Sequence, residues 1–411
     1  MRNPVRRKSR ISADLTHPER SPQELAELDL VHELGAVMDV LGTVRSRRAL
    51  RSNPLFRFHE AELQRVLDGF AWSVGRARLP QNKTLGAVAW NIERGKSFDG
   101  ILELFDHHPA FKAADLVLLT EVDLGMGRSG NRNVAAELAA AHGMDWVFAN
   151  HYLVLCAGDR GEKHVREPNA LGLHGSALLS KVPIRRVASL SLPEYKDKFR
   201  DFEKRFGHKR ALLVEVELAD GPLTVAVVHL DPFCAPAYRA AQMRAVIEGI
   251  EQFGGERVLL GGDLNTNTYN LSNRRTTARD AVLKLATHGI RGSVARYMVP
   301  QKHRGERRVF DAMDAASLDW ATFNDLSAST LTYDLQDPEL IEKTLAFLPK
   351  PVWHVLERLL ASTRFAPLRL DWFAGRGLVA QDAGVIALDA VDSPRDRLSD
   401  HQPIHVEVVL S

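Results

Sequence analysis

Apolar runs in this sequence repeatedly end in side chains suited to metal or phosphate. Asn91 follows Gly86–Trp90, Glu121 closes Asp115–Thr120, His229 closes Leu223–Val228, and Asp263 and Asn265 follow Val258–Leu260. Asp371 stands within a further run, Leu368–Phe373, and Asp400-His401 comes just before the last one, Ile404–Leu410. In Gly262-Asp263-Leu264-Asn265 a carboxylate and a carboxamide are two positions apart, and residues i and i+2 of an extended segment share a side. An Asx turn is the plain alternative there, because Asp, Asn and Gly are common turn residues. The set as a whole is oxygen-rich and suits a hard divalent cation. Mg²⁺ takes one or two carboxylates and completes its shell with water and substrate phosphate. Such an ion polarises a phosphoryl oxygen during in-line displacement. His229 and His401 add donors for phosphate oxygens, and a carboxylate beside an imidazole orients it.

These residues need strands to carry them. From about residue 84 the pattern alternates strand and helix, as in an α/β or α+β unit. Strands are expected at Gly86–Trp90, Asp115–Thr120, Trp146–Phe148 and Gly175–Ser180. A hairpin is expected from Arg210–Leu218 and Leu223–His229 through Asp220-Gly221. Helices are expected over Phe98–Phe105, Asn133–His142 and Pro236–Phe253. Residues 274–367 are less regular, with helical stretches at Asp280–Thr287, Pro338–Phe347 and Val352–Ser362, and read as an insertion. Residues 1–21, basic and containing Pro4 and Pro18, read as a flexible arm, and residues 22–80 as a helical extension. Its first helix runs from the capping box Ser21-Pro22-Gln23-Glu24 to Leu41, and its second over Glu60–Arg76.

Composition narrows the class. The chain has 411 residues, 45% of them hydrophobic and 26% charged, as in a globular protein. A net charge of +2 argues for neither a nucleic-acid nor a membrane partner, so attraction to phosphate must come from local clusters. The basic runs Lys204–Arg210 and Lys302–Arg308 read as solvated faces. Cys156 and Cys234 fit no metal-ligand spacing and suit a reducing compartment. The basic first ten residues are followed by no apolar run, and no stretch of ~18 apolar residues occurs. A cytoplasmic protein is expected.

The ordered set Trp90-Asn91, Thr120-Glu121, Gly175 with Ala177-Leu178-Leu179-Ser180, Val228-His229-Leu230, Gly262-Asp263-Leu264-Asn265, Leu370-Asp371 and Ser399-Asp400-His401 resembles the endonuclease/exonuclease/phosphatase superfamily of metal-dependent phosphoesterases. The resemblance covers about residues 84–410, and Arg239 and Gln242 fit its spacing. It implies a four-layered α/β sandwich of two packed mixed β-sheets flanked by helices. It implies Glu121 as principal ligand of Mg²⁺ or Mn²⁺, with Asn91 beside it and Asp400 contributing. Asp263 would orient or deprotonate the attacking water, and Asn265 would steady the phosphoryl oxygens. His401 paired with Asp371 would stabilise the pentavalent charge, and His229 would contact the phosphate or leaving group. Two departures stand out: Ser176 replaces an asparagine common in the family, and the segment from Asn265 to Asp371 is long.

Arg128, Asn131 and Arg132, in a glycine-flanked loop just after Glu121, are candidate substrate contacts, since arginine binds phosphate bidentately. His174 is another, and Glu93 a weaker candidate ligand beside Asn91. The expected activity is metal-dependent hydrolysis of phosphate esters, diesters above all, by activated water. Nuclease action on DNA or RNA, a lipid or inositol phosphate substrate, and an inactive binding protein of the same fold are the alternatives.

Overall fold

The computed structural model describes residues 10–14, 30–80, 84–162, 164–334, 354, 358, 365–388 and 397–410. Its strands, in chain order, are β1 (Arg10–Asp14), β2 (Phe70–Ser73), β3 (Thr84–Arg94), β4 (Leu116–Leu124), β5 (Asp145–Val154), β6 (Leu173–Ser180), β7 (Ile184–Ser191) and β8 (Arg205–Gly207). They continue as β9 (Arg210–Leu218), β10 (Gly221–His229), β11 (Val258–Asp263), β12 (Leu331–Asp334), β13 (Phe365–Leu368), β14 (Asp371–Arg376), β15 (Leu378–Val385) and β16 (Ile404–Leu410). Ten helices join them: α1 (Gly35–Thr43), α2 (Arg47–Ser52), α3 (Pro54–Phe58), α4 (Glu60–Asp68), α5 (Phe98–His107), α6 (Pro109–Ala113), α7 (Val134–Ala141), α8 (Pro236–Phe253), α9 (Arg274–Tyr297) and α10 (Arg307–Ala315), counted among the described residues.

Two mixed sheets form the centre. One runs β1-β7-β9-β10-β11-β14; the other runs β15-β16-β3-β4-β6-β5-β2, with β8 paired to β5. β3 and β4 pair in parallel, as do β10 and β11, so each pair delivers its C-terminal ends to the same side. Three apolar clusters fill the three gaps between four layers. Leu118, Leu178, Leu212, Val225, Leu259 and Phe373 belong to the cluster between the sheets. Phe105, Phe111, Val134 and Leu138 pack on the outer face of the β3–β4 sheet, while Met243, Val246, Phe310 and Trp372 pack on the other. The expected four-layered α/β sandwich is the observed fold.

Local chemistry sets several boundaries. α8 opens with Pro236 at its first turn and closes on Gly254 in the left-handed conformation, φ 88°. Asn133 caps α7 by accepting from the Ala136 amide, and Asn53 caps α3 from the Leu55 and Phe56 amides.

Other boundaries differ from expectation. The second helix of the extension stops at Asp68, and Phe70–Ser73 is instead an edge strand on β5. Gly69 ends the helix, and a Cβ there would meet a methyl of Leu30 at 2.3 Å. Of the first expected helix, residues 21–29 with the capping box lie outside the described residues, 30–34 are not helical, and the helix runs from Gly35. His32 accounts for this: its Nδ1 accepts from the Leu34 amide and its Nε2 binds the Leu171 carbonyl, fixing a turn. The arm is a strand over Arg10–Asp14, pairing antiparallel with β7, whose outer backbone groups would otherwise lack a ladder. In the insertion α9 is longer than expected, and the stretches at 338–347 and 352–362 lie outside the described residues except for 354 and 358.

Candidate active site

Register places the polar residues in rows. His229 lies opposite Asp263 across β10–β11, and Asp263 lies opposite Asp371 across β11–β14, so three neighbouring strands present one line of side chains. In the other sheet Asn91 pairs with Thr120, beside Glu121. The rows meet where the Asn91 amide donates to Asp263 Oδ2 at 3.3 Å. β3 and β4 are both irregular here: the ladder skips between Asn91 and Arg94 and again at Glu121. Bulges of this kind re-aim side chains near functional sites. Glu93, Arg94, Glu121 and Asn265 all have positive φ, between 44° and 75°.

The closing loop is clamped to the same place. Trp90 Nε1 donates to the His401 carbonyl at 2.8 Å, and Ser399 Oγ donates to the Asn91 carbonyl at 2.6 Å. His401 Nδ1 lies 2.7 Å from Asp371 Oδ2, and its Nε2 lies 4.0 Å from Asp263 Oδ2. Burial opposes charge on His401, but Asp371 and Asp263 outweigh it and hold its pKa well above the usual histidine value. Thr330, in the insertion, accepts from the Leu370 and Asp371 amides through its hydroxyl and so steadies the partner of His401.

Asp263 is enclosed. Its Oδ1 accepts from the Asn265 amide and its Oδ2 from Asn265 Nδ2, both at 2.8 Å, and His229 Nε2 lies 3.3 Å from Oδ2. Burial pushes its pKa up to about 7, with His401 pulling it down and Asp371 pushing it up. The strand ends at Asp263, so the two residues meet through an Asx turn rather than along one face of a strand. Both amide hydrogens of Asn265 are committed, one to Asp263 and one to the Leu230 carbonyl. As it stands, Asn265 orients Asp263; steadying phosphoryl oxygens would need a hydrogen already used. Burial and Lys209 hold His229 well below the usual histidine value, which keeps it neutral.

Glu121 is 23% exposed at its side chain and takes no direct hydrogen bond among the described residues. Arg94 Nε lies 3.8 Å and His229 Nε2 3.9 Å from its oxygens. Burial resists its ionisation, but the Arg94 guanidinium prevails and holds its pKa well below the usual value. An ionised, partly open carboxylate suits a hard cation. Asp263, Asp371 and His401 form the group whose ligand atoms lie within 4.8 Å of one another among the described residues. His401 is cationic and pinned by Asp371, which suits charge stabilisation better than ligation. Asp400 is half-buried and adds negative potential at His401.

The substrate-contact candidates are placed otherwise. Arg128 has a fully buried side chain, bound to Asp123 through Nε and Nη2 at 2.6 and 2.9 Å and to Glu203 at 2.7 Å. It is an internal ion-pair hub. His174 Nδ1 bonds Asp123 at 2.8 Å within the same cluster. Asn131 ties its loop to Glu167, Pro168 and Ala170. Arg132 lies over the Phe98 ring and pairs with Glu137 on the surface. Sequence reasoning passed over Lys209, which is 7% exposed and lies in a run read as solvated. Burial lowers its pKa to about 7, while Asp231, Glu121 and Asp263 raise it, so its amine lies within electrostatic reach of the site. Ser176 and its ladder partner Thr120 are buried, and their hydroxyls have no hydrogen-bond partner among the described residues. A cavity of about 810 Å³ between the N-terminal helices and Phe206–Arg210 is lined by none of the sequence candidates.

The model of the Endonuclease/Exonuclease/phosphatase family matches residues 88–401, and the chain belongs to this family. Membership supports a phosphoester hydrolase in the general sense. The structure is similar to an endonuclease/exonuclease/phosphatase from Beutenbergia cavernae DSM 12333, at 15% identity over 80% of this chain and 72% of that one, TM-score 0.48. It is similar to the family protein from Bacteroides vulgatus at 13% identity, 80% and 99% coverage and TM-score 0.46. A Neisseria 3′ phosphatase, NExo, bound to a product DNA hairpin, gives 14% identity, 78% and 98% coverage and TM-score 0.41. No curated protein matches the sequence.

Proposed function

We propose that the protein is a Mg²⁺- or Mn²⁺-dependent hydrolase of phosphate esters, diesters above all, acting by in-line attack of water without a covalent intermediate. The observation that carries this reading is the junction of the two rows: Asp263, held by Asn265 and Asn91, faces both His229 and the His401–Asp371 pair. Glu121 and Asn91 would hold the cation. When bound, it polarises a phosphoryl oxygen and neutralises charge.

The chain's own groups do the rest. Asp263 takes the proton of the attacking water, a task that suits a carboxylate with a raised pKa. His401, protonated and oriented by Asp371, donates from Nε2 to the phosphoryl oxygens as charge builds. Neutral His229 lies within reach of the same space and can hydrogen-bond the phosphate. Lys209 supplies buried positive charge beside the phosphate.

The test is metal-dependent release of nitrophenol from bis-p-nitrophenyl phosphate. Asp263→Ala and His401→Ala are each expected to lower kcat by about 10²–10⁴. Wild-type turnover in both variants would remove these residues from the chemistry. A panel of DNA, RNA, sphingomyelin and phosphoinositides, with Mg²⁺ or chelator, then assigns the substrate.

A further inference from the structure

Arg94 is a buried arginine at the last position of β3, three residues beyond Asn91. The β3–β4 ladder passes from Asn91 opposite Thr120 straight to Arg94 opposite Val122, so the bulge brings Arg94 alongside Glu121. Its backbone is left-handed, at φ 75°, and the next amide, that of Gly95, closes a turn on the Ile92 carbonyl at 2.9 Å. A residue with a side chain is held there at a cost in stability. What that backbone delivers is a guanidinium beside a carboxylate.

The far end of that guanidinium is occupied. Nη1 bonds Glu162, and Nη2 lies 2.7 Å from Asp159 and 3.7 Å from Glu203. Glu162 is fixed in turn: it accepts from the Asp159 amide at 2.8 Å and from Arg128 at 3.1 Å. A Cβ at Gly158, which stands at φ 151°, would collide with the same carboxylate. Among the described residues the hub sets three guanidiniums, Arg94, Arg128 and Arg205, against four carboxylates, Asp123, Asp159, Glu162 and Glu203. Arg94 therefore reaches Glu121 with its charge already balanced. Its Nε is the one nitrogen of the group left without an acceptor, and it is buried. Glu121 Oε2 lies 3.8 Å from it, while Oε1 turns towards His229 Nε2 at 3.9 Å. A buried donor with no acceptor thus faces a carboxylate with no donor.

We propose that Arg94 is a positioning residue for the cation site: its Nε–H takes Glu121 Oε2 and leaves Oε1 to the metal. The proposal rests on the phosphoesterase reading for the presence of a cation. Carboxylates that ligate metals are themselves oriented by hydrogen bonds, and removing such a partner weakens metal binding roughly 10–100-fold. The fork geometry is what matters. Lysine carries the same charge but places a methylene where arginine has Nε, so it can hold Glu162 and Asp159 and still offer nothing to Glu121.

Calorimetric titration of the full chain with Mn²⁺, without substrate, tests it. Arg94→Lys is expected to bind Mn²⁺ about tenfold more weakly than wild type. Arg128→Lys is the control: it makes the same change in the same hub, at a residue that bonds no oxygen of Glu121. It is expected to lower the Tm and to leave Mn²⁺ affinity within about twofold of wild type. Equal affinity in wild type and Arg94→Lys overturns the proposal. Equal weakening by both variants also overturns it, since Arg94 would then be one structural arginine among three. Should Arg94→Lys not fold, Asp159→Asn keeps the bond from the Gly161 amide and removes only the acceptor of Nη2. Its Mn²⁺ affinity is expected to fall about threefold at an unchanged Tm, and an unchanged affinity overturns the proposal. A wild type that binds no Mn²⁺ overturns it together with the metal-dependent reading. Mn²⁺ binding that depends on Arg94, in a protein that hydrolyses no ester, leaves it standing and refutes the phosphoesterase reading alone.

Discussion

Glu121 and Asn265 stand at φ 52° and 49°, where a residue with a side chain is held at a cost of about 1–3 kcal/mol. The surrounding sheets impose this geometry. Asn265 is anchored by two side-chain bonds and its own amide, and Glu121 sits at the skip in the β4–β6 ladder. The residue types at the strand ends were legible in the sequence, because carboxylates and imidazoles closing apolar runs are visible without coordinates. What they touch was not. Arg128 reads as a phosphate ligand only until Asp123, Glu162 and Glu203 are seen around it, the last 75 residues away in the chain. Replacing Arg128 with Ala leaves those carboxylates buried and unpaired, and is expected to cost about 3–5 kcal/mol of stability. Thermal unfolding checks this; an unchanged Tm with a raised KM would restore Arg128 as a substrate contact.

At the scale of elements, long strands and well-capped helices followed from pattern, and edges did not. β2 and β1 exist because β5 and β7 offer them a ladder, a tertiary fact that short polar segments do not announce. The stretch before α1 is set by a single imidazole. Burial lowers the pKa of His32 below 6.5, and its Nδ1 accepts the Leu34 amide, so the folded state favours neutral histidine. The unfolded chain therefore binds the proton more readily. Stability is full above the unfolded value of about 6.5 and is lost as pH falls from there towards the folded one. Between pH 7.5 and 5 the Tm of wild type is expected to fall further than that of His32→Gln. Parallel pH curves would show that this turn does not depend on a neutral imidazole.

For the whole molecule, the N-terminal helices belong to the sandwich. Leu34, Leu41, Leu63 and Val66 share one apolar cluster with Phe105, Leu138 and Phe148. Asn150 donates to the Val66 carbonyl, and Arg210 pairs with Asp68. A chain beginning at residue 84 would also lose the β2 edge strand, and is expected to aggregate or to lose its cooperative near-ultraviolet melting. A truncated protein with the wild-type Tm would make the extension an appendage. The sequence showed these residues as helical but gave no sign of which face of the sandwich they cover, because several apolar surfaces would accept them. The bond from Trp90 to the His401 carbonyl spans 311 positions, and β16 lies between β15 and β3 inside its sheet. A chain cut before His401 would therefore leave a gap between β15 and β3 and an indole hydrogen without its acceptor, two faults from one cut.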